Sequence, residues 1–198
     1  MTHRLQYPFT AAQTAPLRAG DAVSVSGLLF TGRDRLHKHL FEGGASPVPL
    51  ADSAIYHCGP VVVEQGSGWR VAAAGPTTSI REEPYMAAIL AAHGVRVVIG
   101  KGGMGPATAE ACARCGAVYL EAVGGAAQVL AACIVRVRGV HFLKEFGPAE
   151  AMWELEVRDF PALVSIDPRG VNLHAGIERA SREAFERLAG RSGKGAKP

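Results

Sequence analysis

Thr77, Arg81 and Lys101 fall within one stretch, Ala74 to Gly105, AGPTTSIREEPYMAAILAAHGVRVVIGKGGMG. A hydroxyl, a guanidinium four residues later and an ammonium among glycines are the parts of a carboxylate-handling site. Arginine offers a rigid planar fork that meets a carboxylate with two parallel hydrogen bonds, and lysine offers a mobile point charge. Lys101 gains little from packing in IGKGGMG, whereas glycines such as Gly102 let a ligand approach the backbone closely. Arg33, in TGRD after an apolar run, adds a second fork; its plainer reading is a surface pair with Asp34 or Glu42. Thr77, Thr78 and Ser79 also have a plainer role, as caps for a helix starting near Ile80.

The elements around these residues follow from periodicity and breakers. Ala74 to Gly105 reads as a hydroxyl-rich turn, a helix ending at His93-Gly94, the β-branched strand VRVVI and a glycine loop. DAVSVSGLLF alternates as a half-buried strand, and Thr31-Gly32-Arg33-Asp34 turns it into a helix, RLHKHLFEG. AIYHCGPVVV is expected to be one strand, paired as a hairpin with GWRVAAAG. Later come helix PATAEACARCG, strand AVYLEAV, a short helix GGAAQVLAACIV, strands WELEV and LVSI separated by DFPA, and a last helix AGIERASREAFERLAG. The alternation of strands and helices predicts an α/β domain in which turns at strand C-termini line one crevice, so Thr77, Arg81 and Lys101 can converge. The expected organisation is an arm at 1–18, one domain at 19–190 and a disordered basic tail at 191–198.

Other motifs compete. GKGGMG fits GxGxxG after a strand and before a helix, with Glu121 about 20 residues on, which is the dinucleotide fingerprint of an oxidoreductase. Against it, Lys101 occupies the tight turn and no second mononucleotide half follows. Cys112-Ala-Arg-Cys115 has the spacing of a metal or redox pair, but it lies on a helical pattern with no second ligand pair, and small packed residues are the expected reading. No metal site is expected in this chain. His37 and His57 read either as buried structural histidines or as acid-base groups, and Asp159 and Asp167, each near a proline, as turn formers.

Composition narrows the partners. The 198 residues are 48% hydrophobic and 20% charged, with 21 Lys and Arg against 18 Asp and Glu, an ordinary globular balance. Much of the +3 excess sits in RSGKGAKP at the end, so neither a nucleic-acid face nor a membrane surface is indicated. MTHRLQYPFTAAQTAPL carries no targeting pattern, and no apolar run is long enough to span a bilayer, so a cytoplasmic protein with four reduced cysteines is expected.

GPTTSIR, the RxEPY motif and IGKGG together resemble the C-terminal catalytic region of the class I, iron-sulfur fumarases and L-tartrate dehydratases. Bacterial and archaeal members of that family often make this region a separate beta subunit. GDAVSVSGLLFTGRDRLHK, IYHCGP, YLEAVGGAA and EFGPAEAMWELEVRDFPALVSIDPRGVNLH extend the resemblance in the expected order over most of the chain. Two departures stand out: Glu82 where a Met is expected, and Met104-Gly105 where the loop often carries Arg-Ser. The resemblance implies a swivelling β/β/α domain of layered sheets and helices. It also implies reversible hydration of a C4 dicarboxylate, fumarate to malate or dehydration of tartrate, with Arg33, Arg81, Lys101 and Gly102 on the substrate. Thr77 would be base or proton relay at the reacting carbons. The Lewis acid implied is a [4Fe-4S] cluster carried by a partner alpha subunit and not by this chain. A non-catalytic carboxylate-binding subunit would share the same binding residues.

Overall fold

The computed structural model describes residues 2–66 and 68–192. In chain order the elements are β1 (His3–Gln6), α1 (Ala11–Thr14), β2 (Ala22–Thr31), α2 (Asp34–Phe41), β3 (Ala54–Tyr56), the hairpin β4 (Val61–Gln65) and β5 (Gly68–Ala73), a 3-10 turn (Ser79–Glu82), α3 (Glu83–His93), β6 (Val97–Gly100), α4 (Pro106–Cys115), β7 (Val118–Glu121), α5 (Ala127–Ala132), β8 (Ile134–His141), α6 (Leu143–Phe146), β9 (Met152–Ile166) and α7 (Leu173–Ser192).

Strands β1, β2, β3, β6 and β7 run parallel in that spatial order. β9 runs antiparallel to both β7 and β2, so β2, β3, β6, β7 and β9 close into a five-stranded ring, with β1 and β8 attached outside it. The result is a mixed α/β single domain. The central strands are apolar on both faces, as a covered parallel sheet requires. Val97 and Ile99 of β6, Val118 and Leu120 of β7, Leu29 and Trp153 pack into one core; Val98, Tyr119, Ile55, Leu36, Met86 and Ile89 pack into the other, under α2, α3 and α4. The first 18 residues lend the edge strand β1 and three fully buried apolar side chains, Leu5, Phe9 and Leu17.

Four local expectations are corrected. AIYHCGPVVV is two strands, because His57 to Pro60 leave the sheet and make a separate bridge, Cys58 to Pro76. WELEV and LVSI are one strand, β9: DFPA bends it without breaking it, Asp159 adopting a positive φ of 52° while its N–H donates to Ser26 Oγ at 2.9 Å. The helix expected over GGAAQVLAACIV stops at Ala132, and IVRVRGVH becomes β8 against β9. The helix expected from Ile80 begins at Glu83 after the 3-10 turn, and it ends as expected at His93 with Gly94 left-handed (φ 65°). Of the tail expected at 191–198, residues 193–198 lie outside the described residues. No helix among the described residues is long and apolar enough to cross a membrane.

Cys112 is fully buried on α4 within the outer core, and burial pushes its thiol up to about 12. Cys115 ends the same helix, partly buried. Changing both to Ala should therefore cost about 1 to 3 kcal/mol through lost packing. The melting temperature should fall; an unchanged melting temperature would contradict this reading.

Candidate active site

The parallel strands deliver the predicted residues to one rim. β2 ends at Thr31, β3 at Tyr56 and β6 at Gly100, so Arg33, His57 and Lys101 all emerge at strand C-termini. The β4–β5 hairpin returns the chain to the same rim through Ala74 to Ser79.

Backbone bonds fix that rim. Thr77 N–H donates to the His57 carbonyl at 2.7 Å, Lys101 N–H to the Thr77 carbonyl at 3.1 Å, and Ser79 N–H to the Lys101 carbonyl at 3.0 Å. The Thr77 hydroxyl donates to the same His57 carbonyl at 3.1 Å, and Ser79 Oγ contacts His57 Nδ1 at 2.8 Å and accepts from Lys101 N–H at 3.2 Å. These hydroxyls are thus committed across the loop, and no side-chain cap bond forms at the start of the 3-10 turn or of α3. Gly100 has to be glycine here, because a Cβ would lie on top of Ser79 Oγ.

The cations arrive from three directions. Arg33, the residue before α2, sets its guanidinium 3.3 Å from Glu150 and 4.0 Å from Asp34; Arg81, on the 3-10 turn, reaches the same Asp34 carboxylate at 3.5 Å. The two forks therefore share one acid at the start of α2. Lys101 is half-buried, its stem against Gly124, where a Cβ would come within 2.8 Å of Lys101 Cδ. Gly102 is left-handed (φ 72°), and its carbonyl accepts from Tyr119 Oη at 2.6 Å, leaving open space where a side chain would stand. Arg33, Thr77, Arg81, Lys101 and Gly102 are thus brought together on connected loops.

Sequence reasoning gave His37, His57 and Asp34 lesser roles and set Ser79 down as a cap. The structure places His37, His57, Ser79 and Glu82, all without exposed surface, directly behind the cations. Burial holds His37 down at about 4, and burial with the neighbouring His37 and Arg81 holds His57 well below its ordinary value. Burial, with Asp34 and Glu150 nearby, pushes Glu82 up to about 8 against the pull of Arg81. The signals available in sequence were spacing, with His37 four residues after Arg33 and Glu82 directly after Arg81, and the departure of Glu82 from the expected Met.

The glycine loop has a different occupant from the one its fingerprint suggests. The Glu83 carboxylate accepts from Gly105 N–H at 2.7 Å, Thr108 N–H at 3.1 Å and the Thr108 hydroxyl at 2.6 Å. An anion of the chain itself thus fills the N-terminus of α4 that a pyrophosphate would need. Glu121, the would-be ribose ligand, is held by His174 Nε2 at 2.8 Å, and the sheet is a closed ring without the open crevice of a dinucleotide fold.

As for an iron-sulfur cluster, the cysteines do not fit one. Cys58 and Cys112 are buried with thiols pushed up to about 12, and no group of three His, Cys, Asp or Glu that could hold a metal occurs among the described residues.

Comparison with known proteins shows the family. The model of the family described as fumarase C-terminus matches residues 2–177. A Geobacillus stearothermophilus protein, provisionally named as a class I fumarate hydratase, is 52% identical over 185 residues, 93% of this chain. The chain spans only 36% of that protein's length. The L(+)-tartrate dehydratase subunit beta of Escherichia coli K12 is 38% identical over 174 residues, covering 86% of each chain. A Methanocaldococcus jannaschii protein provisionally named as the same subunit is 34% identical over 192 residues, 93% of this chain and 97% of its own. Ordered motifs, a cation-bearing rim at the parallel strand ends and a match over nearly the whole chain lead to one conclusion: this chain belongs to the fumarase C-terminus family.

Proposed function

We propose that the chain is the beta-type half of an iron-sulfur hydro-lyase acting on a C4 dicarboxylate, fumarate and malate or tartrate. The observation that carries this reading is the convergence of Arg33, Arg81 and Lys101 with the Thr77 hydroxyl on one rim. The relatives' names supply the reaction class, and the subunit names of two of them supply a partner. In the same reading the closed sheet with its covering helices is a swivelling β/β/α domain, residues 19–190 form the catalytic unit behind an arm at 1–18, and the protein works in the cytoplasm.

The reaction removes a proton from one carbon and hydroxide from its neighbour, leaving a double bond. A [4Fe-4S] cluster on the partner subunit would supply the Lewis acid for the departing hydroxyl. This chain's residues do the rest. Arg33 and Arg81, which share Asp34, exchange that acid for the substrate's carboxylates, and their forks fix both ends of the four-carbon chain. Lys101 sits where negative charge builds on a carboxylate as the C–H bond breaks, and stabilises it in a partly desolvated setting. Thr77, held by two bonds to the His57 carbonyl, presents its oxygen at the reacting carbons as base or relay: as an alkoxide it takes the substrate proton and becomes the neutral hydroxyl, or as the hydroxyl it passes that proton on to water as it gives up its own.

The test is a pair of titrations on the assembled two-subunit complex. Fumarate or L-tartrate should be turned over and should compete with succinate for binding, whereas NAD(H) should not bind. Binding of NAD(H) with no turnover of any dicarboxylate would overturn the proposal, and dicarboxylate binding without turnover would reduce the chain to a non-catalytic subunit.

A further inference from the structure

Glu82 puts a carboxyl group where the resemblance leads one to expect a Met, and it lies in the middle of a buried polar cluster. Its side chain and that of His37 have no exposed surface, and Glu82 Oε2 is 3.4 Å from His37 Nδ1. The partners fix where the protons are. His37 Nδ1 lies 2.8 Å from the Arg33 carbonyl, which can only accept, so Nδ1 carries hydrogen and points it mainly there. Ser79 Oγ, which accepts from Lys101 N–H, also lies 2.8 Å from His57 Nδ1, while His57 Nε2 is buried without a hydrogen-bond partner. Both Glu82 oxygens are left without a hydrogen-bond partner. A buried carboxylate with no committed donor is expelled from its charged form, so the acid form is the one this packing accommodates.

Four titratable or charged groups face Glu82 from the elements packed on it: Asp34 and His37 on α2, Arg81 beside it, and Glu150 before β9; behind them Arg33 pairs with Asp34 and Glu150, and His57 packs edge-on against His37. Both histidines are neutral, so neither cancels a charge that appears on Glu82. The cation it would draw on is the Arg81 fork of the cradle.

We propose that Glu82 is a positioning residue that sets dicarboxylate affinity: protonated, it leaves the charge of Arg81 to the substrate; ionised, it draws on that charge from below and weakens binding. This rests on reading the rim as a dicarboxylate cradle. The inference predicts an alkaline limb in substrate affinity that the substrate itself cannot produce, since ordinary carboxylates are fully ionised across neutral and alkaline pH.

The experiment follows succinate binding to the assembled complex by calorimetry from about pH 6.5 to about pH 9.5, together with KM and kcat for the reacting substrate. The expected result is a rise in Kd and KM of about threefold to tenfold through that range, with kcat nearly flat. Glu82→Gln should remove the rise, and Glu82→Met serves as the second variant if Gln disturbs the cluster. Independently, the carbonyl-stretch band of a protonated carboxyl should appear in infrared spectra of the wild-type chain at neutral pH, fade on alkaline titration, and be missing in both variants. The same alkaline rise in the variants, or a pH-independent Kd in wild type while the band titrates, would overturn the proposal. Absence of succinate binding at every pH would instead remove the cradle reading on which it stands.

Discussion

Thr77→Val in the assembled enzyme is expected to lower kcat by about 10²-fold or more, the scale of lost acid-base help, with KM changed little. Valine keeps the shape and the Thr77 N–H bond to the His57 carbonyl at 2.7 Å; only the hydroxyl and its 3.1 Å bond to that carbonyl are lost. Because the carbonyl keeps its backbone donor, the stability cost should be no more than about 1 kcal/mol. The structure sharpens this test, since Thr77 makes no cap bond whose loss could mimic a catalytic effect. Kinetics and melting temperature of the same preparation decide the matter. An unchanged kcat would take Thr77 out of the chemistry and leave Arg33, Arg81 and Lys101 as binding residues.

Arg81→Lys is expected to raise KM about 10-fold to 100-fold. Lysine keeps the charge yet loses the planar fork that holds a carboxylate by two parallel bonds. Its effect should far exceed that of Arg182→Gln, a change to an exposed α7 residue paired only with Glu178 one turn away, which should leave kinetics within about twofold. Because Arg81 is half-exposed and its contact with Asp34 is 3.5 Å, the folded state gains little from it, and the melting temperature should barely move. Equal effects of the two substitutions on KM would show that charge at the rim, and not the geometry of the fork, holds the substrate.

Much of this arrangement was legible in the residues. Alternation in DAVSVSGLLF, the turn TGRD, the β-branched run VRVVI and the stop at His93-Gly94 each reflect local chemistry that tertiary packing left intact. That Thr77, Arg81 and Lys101 would stand on loops at one rim was expected from one rule, that consecutive turns at strand C-termini line one crevice. What failed was decided by non-local pairing. Residues 134–141 alternate valine and arginine, yet they adjoin an apolar helix, and only β9 beside them makes them a strand. Pro161 suggested a break, but β9 carries it opposite Ser24 next to the bend at Asp159. The glycine fingerprint was set aside in sequence on other grounds, and the structure adds one that sequence could not give: Glu83, 22 residues before Gly105, occupies the helix terminus. Glu82 was visible as a departure in sequence, but its meaning required knowing that His37 lies 3.4 Å away.

The central claim is that this chain supplies the cations and the hydroxyl while a partner supplies the Lewis acid. Its most direct test is an anaerobic hydration assay on three samples: this chain alone in metal-free buffer, a cluster-loaded alpha subunit alone, and the two combined. The account predicts conversion of fumarate to malate, or loss of water from tartrate, in the combined sample only, and a colourless, inactive chain on its own. Hydro-lyase activity from the metal-free chain alone, or from the alpha subunit without it, would contradict the account.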